Sequence, residues 1–304
     1  MGRGRPAQCA RYDRRDGQPG LVECARRWWP FVVGSLGVTA VLLGAYLMVP
    51  RETGAAAAER RTEPRFDARR AGGAAAAVTP QMRALGITGR ISAYTTRYTA
   101  GEPRVRNIEL AARALNGQVA SPGSTFSFNR AIGARTKRRG YVPAPTIIGR
   151  RLVDDVGGGI CQVSTTLFNA VFDAGLDIRD ARAHTLWMPE YPQGREAAVA
   201  FPDLDFTWRN DTGRPVMVTT EFTGTALTVA LWGTRRYEVR SRSSRRYGLT
   251  AYGSEADRGH ACVPMRGGQG FQIDVWRVLV LGGREIRRQR FHTEYEPQLE
   301  VTCA

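Results

Sequence analysis

Gly157-Gly158-Gly159-Ile160-Cys161-Gln162-Val163-Ser164-Thr165-Thr166 runs three glycines into a cysteine, and the cysteine opens an apolar pattern of helical period. Val163, Leu167, Ala170, Val171 and Ala174 fall on one helical face and Gly175 follows as a stop, which predicts a helix from Ile160 to about Ala174. A thiol in the first turn of a helix sits in the positive end of the macrodipole, which favours thiolate. The N–H groups of that turn also suit an oxyanion. The place fits a nucleophile; a small buried cysteine serving only the core fits it too.

Outward from this helix the chain turns to strands. Leu204, Phe206 and Trp208 alternate, Asn210-Asp211-Thr212-Gly213 turns, Val216 and Val218 alternate, and Leu227, Val229 and Leu231 follow Thr223-Gly224. That pattern predicts a three-strand antiparallel meander. A last hairpin pairs 271–281 with 285–295 through Gly282-Gly283. Upstream, Asn107 is expected to cap a short helix with Ile108, Ala111, Ala112 and Leu115 inward, ended by Asn116-Gly117. Ser121-Pro122-Gly123 then turns the chain before Phe126-Ser127-Phe128. Few helices against many hairpins predict an α+β fold with mainly antiparallel sheet. No internal repeat, GxGxxG or Walker-type loop is present.

The compartment follows from the first fifty residues. Trp28 to Val49 carry no charge and are long enough for one transmembrane helix. Seven arginines against three acidic residues precede that run, which places the N-terminus inside and the rest outside. The expected organisation is a cytoplasmic basic leader over 1–27, a membrane span over 28–50 and an Ala/Arg-rich linker over 51–83. A globular domain over 84–240 and a β-rich extension over 241–304 complete it. A cleaved signal peptide, helped by Ala55 to Ala58, is the rival, and either way the body is exported. The net charge is +16, almost all of it from arginine, with Lys137 the one lysine. An exported basic protein meets anionic lipid, wall polymer or carboxylate-rich peptide before nucleic acid, for which no recognition motif is present. The run Arg235 to Arg242 reads as a charge-protected edge strand.

Cys9 and Cys24 lie on the reduced side of the membrane, which leaves Cys161, Cys262 and Cys303 outside. A Cys262–Cys303 disulfide would staple the strand-rich C-terminal segment and leave Cys161 unpaired. Of three histidines, His184 lies beyond the helix where the chain returns. A helix from Ile160 to Ala174 is roughly 20 Å long, and the residues between it and His184 can span that length back. A Cys161–His184 pair is therefore within reach, while His260 beside Cys262 and His292 in the last hairpin read as incidental. No Cys/His/Asp cluster has ligand spacing, so neither metal nor cofactor is expected.

The block from Gly157 to Ala170 resembles the VanW family, exported bacterial proteins named from glycopeptide-resistance clusters. So do Asn107-Ile108, Ala111-Ala112, Leu115-Asn116-Gly117, Pro122-Gly123, Phe126 to Asn129, Gly133, Arg135-Thr136 and Gly140-Tyr141. His184-Thr185, Gly194-Arg195, and Asp203 to Phe206 followed by Asn210-Asp211-Thr212 fall in the family's order, so the resemblance covers about residues 90–240. It implies L,D-transpeptidation of peptidoglycan stem peptides, with Cys161 as nucleophile and His184 as base and acid. The residues it implies for substrate binding are Arg195, for a stem-peptide carboxylate, with Gly159, Ser164 and Thr165. Thr185 and Glu196 stand where the family often has serine and aspartate. A cysteine hydrolase of stem peptides and a non-catalytic wall-binding module are the alternatives.

Overall fold

The computed structural model describes residues 77–303 except 149–150 and 260–261. The basic leader, the expected transmembrane helix, most of the linker and His260 lie outside the described residues. Among the described residues no helix is long and apolar enough to cross a membrane.

The chain enters through α1 (Pro80–Ala84), where the Thr79 side chain accepts the Met82 N–H at 3.2 Å. This helix falls at the end of the stretch read as linker, and Met82 packs with Ile87, Met217 and Trp232. There follow β1 (Gly89–Arg97), α2 (Pro103–Leu115), β2 (Val119–Ala120), β3 (Thr125–Ser127), α3 (Phe128–Ile132), β4 (Pro143–Ile148) and β5 (Arg151–Val156). Next come α4 (Ile160–Ala174), β6 (Asp177–Asp180), β7 (Thr207–Arg209), β8 (Val216–Thr223) and β9 (Ala226–Gly233). The C-terminal part holds β10 (Glu238–Ser243), β11 (Tyr247–Thr250), β12 (Ser254–Asp257), β13 (Gly270–Leu281), β14 (Arg284–Tyr295) and β15 (Glu300–Cys303).

The fold is α+β with mainly antiparallel sheet. One sheet has the order β1-β9-β8-β2 and another β3-β7-β6; β4 and β5 form a hairpin. In the C-terminal sheet β13 pairs with β10 and β11 as well as β14, and β12 runs parallel to β15. The last hairpin, β13–β14, turns through Gly282-Gly283, and β10 carries exposed Arg240 and Arg242 on the sheet edge.

Two local expectations are corrected. The meander does not form as one unit, because β7 is taken on both sides by β3 and β6 while β8 and β9 join β1. The Asn210 side chain donates to Ala120 O at 2.8 Å and Arg214 O at 2.7 Å, fixing the turn at which the chain changes sheets. Asn107 is not a cap either. Helix α2 begins at Pro103, whose ring suits a first helical position, so Asn107 falls inside it and is fully buried.

Helix α4 is the axle of the fold. It is buried along almost all its length, with Cys161 and Asp173 its partly exposed residues. Val163, Leu167, Val171 and Phe172 have no exposure, and each large apolar side chain so removed from water contributes about 1.5–3 kcal/mol. Strands β1 and β9 and helix α2 pack against it. The C-terminal sheet closes another side: Val275 joins the same core, and the Phe291 ring meets those of Phe168 and Phe172. Buried Arg277 donates to Phe172 O at 3.3 Å and Leu176 O at 3.1 Å, a cation at the negative end of α4. The extension is thus part of the body that holds α4.

Candidate active site

The glycines before Cys161 have separate reasons. Gly159 is the N-cap of α4 at φ 96°, a conformation that side chains rarely adopt. Gly158 lies so close to β4 that an added Cβ would fall 2.2 Å from Ala144 O. Asn107 secures this loop from α2. Its Nδ2 donates to Gly158 O at 2.9 Å and Val142 O at 2.8 Å, while its Oδ1 accepts Val142 N–H at 2.9 Å. The amides of Ile160 and Gln162 turn back to the carbonyls of Gly157 and Gly159. Cys161 then emerges half-buried at the start of the helix and is the free thiol among the described residues.

One face of α4 is laced to the segment 195–199. Val199 N–H meets the Cys161 Sγ at 3.5 Å, Ala197 N–H donates to Thr165 Oγ1 at 3.2 Å, and Asn169 Nδ2 donates to Arg195 O at 2.9 Å. Ser164 Oγ donates to Ala197 O on the same face. This lacing sets Glu196 beneath His184. His184 hydrogen-bonds Cys161, and its Nδ1 meets Glu196 Oε2. The other carboxylate oxygen, Oε1, accepts Tyr295 Oη at 2.5 Å, and Tyr295 Oη in turn accepts Gly194 N–H at 2.8 Å. Tyr191 stacks on the imidazole at 5.4 Å between ring centres. The structure brings together the Cys161 thiol, the His184 imidazole and the Glu196 carboxylate, the set of groups that nucleophilic catalysis requires.

Electrostatics follow the contacts. Burial pushes the Cys161 thiol up, but the His184 hydrogen bond and charge, the Val199 amide and Arg135 bring it below the ordinary thiol value. Burial pulls His184 down, and its hydrogen bonds and charge pairing with Cys161 and Glu196 raise it to about 10. The pair favours thiolate and imidazolium.

Cys161 and His184 open on a cavity of about 820 Å³, whose walls include Arg104, Arg135, Arg182, Tyr191 and Phe201. Gly159 lies on this cavity, whereas Ser164, Thr165 and Arg195 do not. Ser164 and Thr165 face inward because the 195–199 segment covers them. Arg195 pairs with Asp173 at 2.6 Å and stacks 4.1 Å from the Phe172 ring centre, so its fork is committed within the fold. These three side chains make their contacts within the fold, between α4 and the 195–199 segment, and not on the cavity wall. His292 belongs to a separate surface cluster with Asp274 and Tyr247. Cys262 and Cys303 form a disulfide with Cα atoms 5.8 Å apart. Among the described residues no group of three His, Cys, Asp or Glu side chains could hold a metal ion.

Sequence reasoning did not assign Glu196, Tyr295 or Arg135 to the site. A carboxylate twelve residues beyond His184 was a usable signal for Glu196; Tyr295, 101 residues beyond Gly194, offered none.

The sequence model of the family described as VanW like protein matches residues 103–232. The chain is 40% identical over 146 residues to the "Uncharacterized protein YoaR" of Bacillus subtilis (strain 168), covering 48% of each. It is 34% identical over 118 residues to the "Vancomycin B-type resistance protein VanW" of Enterococcus faecalis (strain ATCC 700802 / V583), covering 36% of this chain and 42% of that protein. The chain thus spans under half the length of the curated relatives it matches. No solved structure matches. Glu196 lies within the matched segment and Tyr295 beyond it, and residues 103–232 are the part of the chain that is similar to the VanW-like family.

Proposed function

We propose that this protein is a cysteine acyltransferase of the bacterial cell wall, an L,D-transpeptidase of peptidoglycan stem peptides. The observation that carries the reading is the Cys161–His184–Glu196 array at the floor of an arginine-walled cavity. The similarity to a vancomycin-resistance protein points to the same cellular setting. In this reading the Cys161 thiolate attacks the carbonyl of the third stem residue. The His184 imidazolium protonates the departing amine, and the terminal D-alanine leaves a thioester on Cys161. The side-chain amine of a second stem then attacks the thioester, His184 takes its proton, and the thiolate is restored. Glu196 keeps the imidazole oriented and supports its positive charge, and the helix dipole of α4 favours the oxyanion. The expected membrane span would hold this domain on the wall side.

The test gives the full chain, in detergent, muropeptides with tetrapeptide stems. Release of D-alanine together with cross-linked dimers, both abolished by Cys161→Ala, supports the reading. Shortened stems without dimers would make the protein a hydrolase. Full activity in Cys161→Ala would remove the mechanism, and pull-down by peptidoglycan with no turnover would leave a wall-binding module.

A further inference from the structure

Arg135 stands apart from the other charges of the cavity. Its stem lies against the glycine loop, where a Cβ added to Gly157 would come 3.0 Å from Arg135 Cβ. Its Nη2 donates to neutral Asn129 Oδ1 at 2.7 Å, and its Nη1 is buried with no hydrogen-bond partner among the described residues. The guanidinium lies 5.7 Å from the ring centres of both Phe128 and Phe201, and its charge acts on Cys161. Arg104 also has a buried donor without a partner, its Nε, but it differs in having a carboxylate partner: Nη1 lies 3.9 Å from Glu190, and Nη2 donates to Gln162 at 2.5 Å. A partly desolvated guanidinium with one neutral partner retains donors for a planar anion, and aromatic flanks fix its plane.

The geometry points to Arg135 as a carboxylate subsite beside the nucleophile: it binds the free α-carboxylate of the residue that leaves. This rests on the acyl-transfer reading and deepens it. When Cys161 attacks a peptide carbonyl, the carboxylate of a terminal residue lies just beyond the departing nitrogen, on the side away from the acyl group. A cation there selects peptides that end at that residue. An interior bond, or an end blocked as an amide, brings this guanidinium no anion. The substrate class is a peptide with a free C-terminal carboxylate one residue beyond the scissile bond.

A probe that needs no turnover separates this subsite from the enzymatic reading. Iodoacetate and iodoacetamide both alkylate Cys161 by the same displacement, in which the thiolate sulfur bonds the methylene carbon and iodide leaves, and they differ in a carboxylate. The ratio of their rates at the Cys161 peptide, divided by the same ratio for glutathione, is expected to exceed one by on the order of tenfold for the full chain. Arg135→Gln should bring it to about one or below, and Arg135→Lys should retain part of it. A ratio at or below one in the unmodified protein overturns the subsite even if the variants fail to fold. Loss of the preference in Arg182→Gln and not in Arg135→Gln also overturns it. With tetrapeptide donors, the preference for the free acid over the C-terminal amide should vanish in Arg135→Gln. If no donor turns over but the alkylation ratio behaves as stated, the subsite stands and the transpeptidase reading fails.

Discussion

Tyr295 and Glu196 are hydrogen-bonded, Oη to Oε1 at 2.5 Å, across 99 residues of chain. The donor sits at the end of β14, outside the family-matched segment, and the acceptor orients the histidine beside Cys161. The C-terminal hairpin therefore completes the hydrogen-bonded array under Cys161. Glu196 is wholly buried, so its second oxygen needs this donor. Tyr295→Phe keeps the ring packing on Phe271 and removes only the hydroxyl. It should cost about 1–3 kcal/mol of stability and slow Cys161 alkylation. Thermal melts and iodoacetamide kinetics on one preparation check both, and an unchanged alkylation rate would contradict the coupling.

The Cys161–His184 pair should give the protein a distinct pH signature. His184 is raised from 6.5 to about 10, so its contribution is complete below 6.5 and lost as pH rises through 10. Cys161 is lowered from 9.0, so its contribution is complete above 9.0 and lost as pH falls through the folded value. From 9.0 down to the folded Cys161 value, while pH stays above 6.5, the folded and unfolded pairs each hold one proton, and stability from the pair is level. Above 9.0 the unfolded pair has lost its proton and the folded pair keeps one, so stability declines until about 10. The difference in Tm between the unmodified chain and Cys161→Ser, measured across pH, should be level just below 9.0 and fall on the alkaline side.

Glu196→Gln removes a charge that holds His184 up. The imidazolium weakens and Cys161 returns toward an ordinary thiol. The acid limb of the iodoacetamide rate should move to higher pH, with the plateau rate little changed. A limb that stays in place would mean that Glu196 does not act through His184.

Asn107 ties α2 to the glycine loop by three hydrogen bonds, two donated and one accepted. Asn107→Ala leaves the Gly158 and Val142 carbonyls and the Val142 amide without that partner. A buried unpaired group costs about 1–3 kcal/mol, so the loss should be about 3 kcal/mol or more. Denaturant unfolding measures it. Asn107→Asp keeps the acceptor and loses both donors, and should recover only a minor part.

What the sequence made legible was local. Helix α4 and its Gly175 stop, the inward face of α2 and the β13–β14 hairpin each depend on a pattern within one element or one turn. The Cys161–His184 pair was reachable because a known helix length bounded the return path. Pairings across sheets were not legible: nothing near Trp208 says that β7 joins β3 and β6 instead of β8. The resemblance implies Ser164 and Thr165 for the site, and they share the helical face of Cys161, but the 195–199 segment covers that face immediately below the thiol. Arg195 looked free because its partner Asp173 lies 22 residues earlier on α4. The β4–β5 hairpin, which walls the cavity through Pro145 and Thr146, was hidden by prolines that break a strand pattern.

The disulfide bears on the site through Leu186. Cys262 and Cys303 close a loop of 41 residues, for which chain entropy gives about 4 kcal/mol. Met265 and Val301, inside that loop, pack with Leu186, two residues beyond His184, and Glu296 N–H donates to Thr185 O at 2.7 Å. The stapled segment thus holds the stretch that carries the imidazole. Cys303→Ser should lower Tm and also raise amide exchange across residues 183–187 before the β1-β9-β8 sheet loosens. Hydrogen exchange under native conditions resolves the two regions. If the 183–187 amides keep their protection while Tm falls, the disulfide stabilises the fold without steadying His184. If their protection drops and alkylation of Cys161 slows with it, the bridge steadies His184.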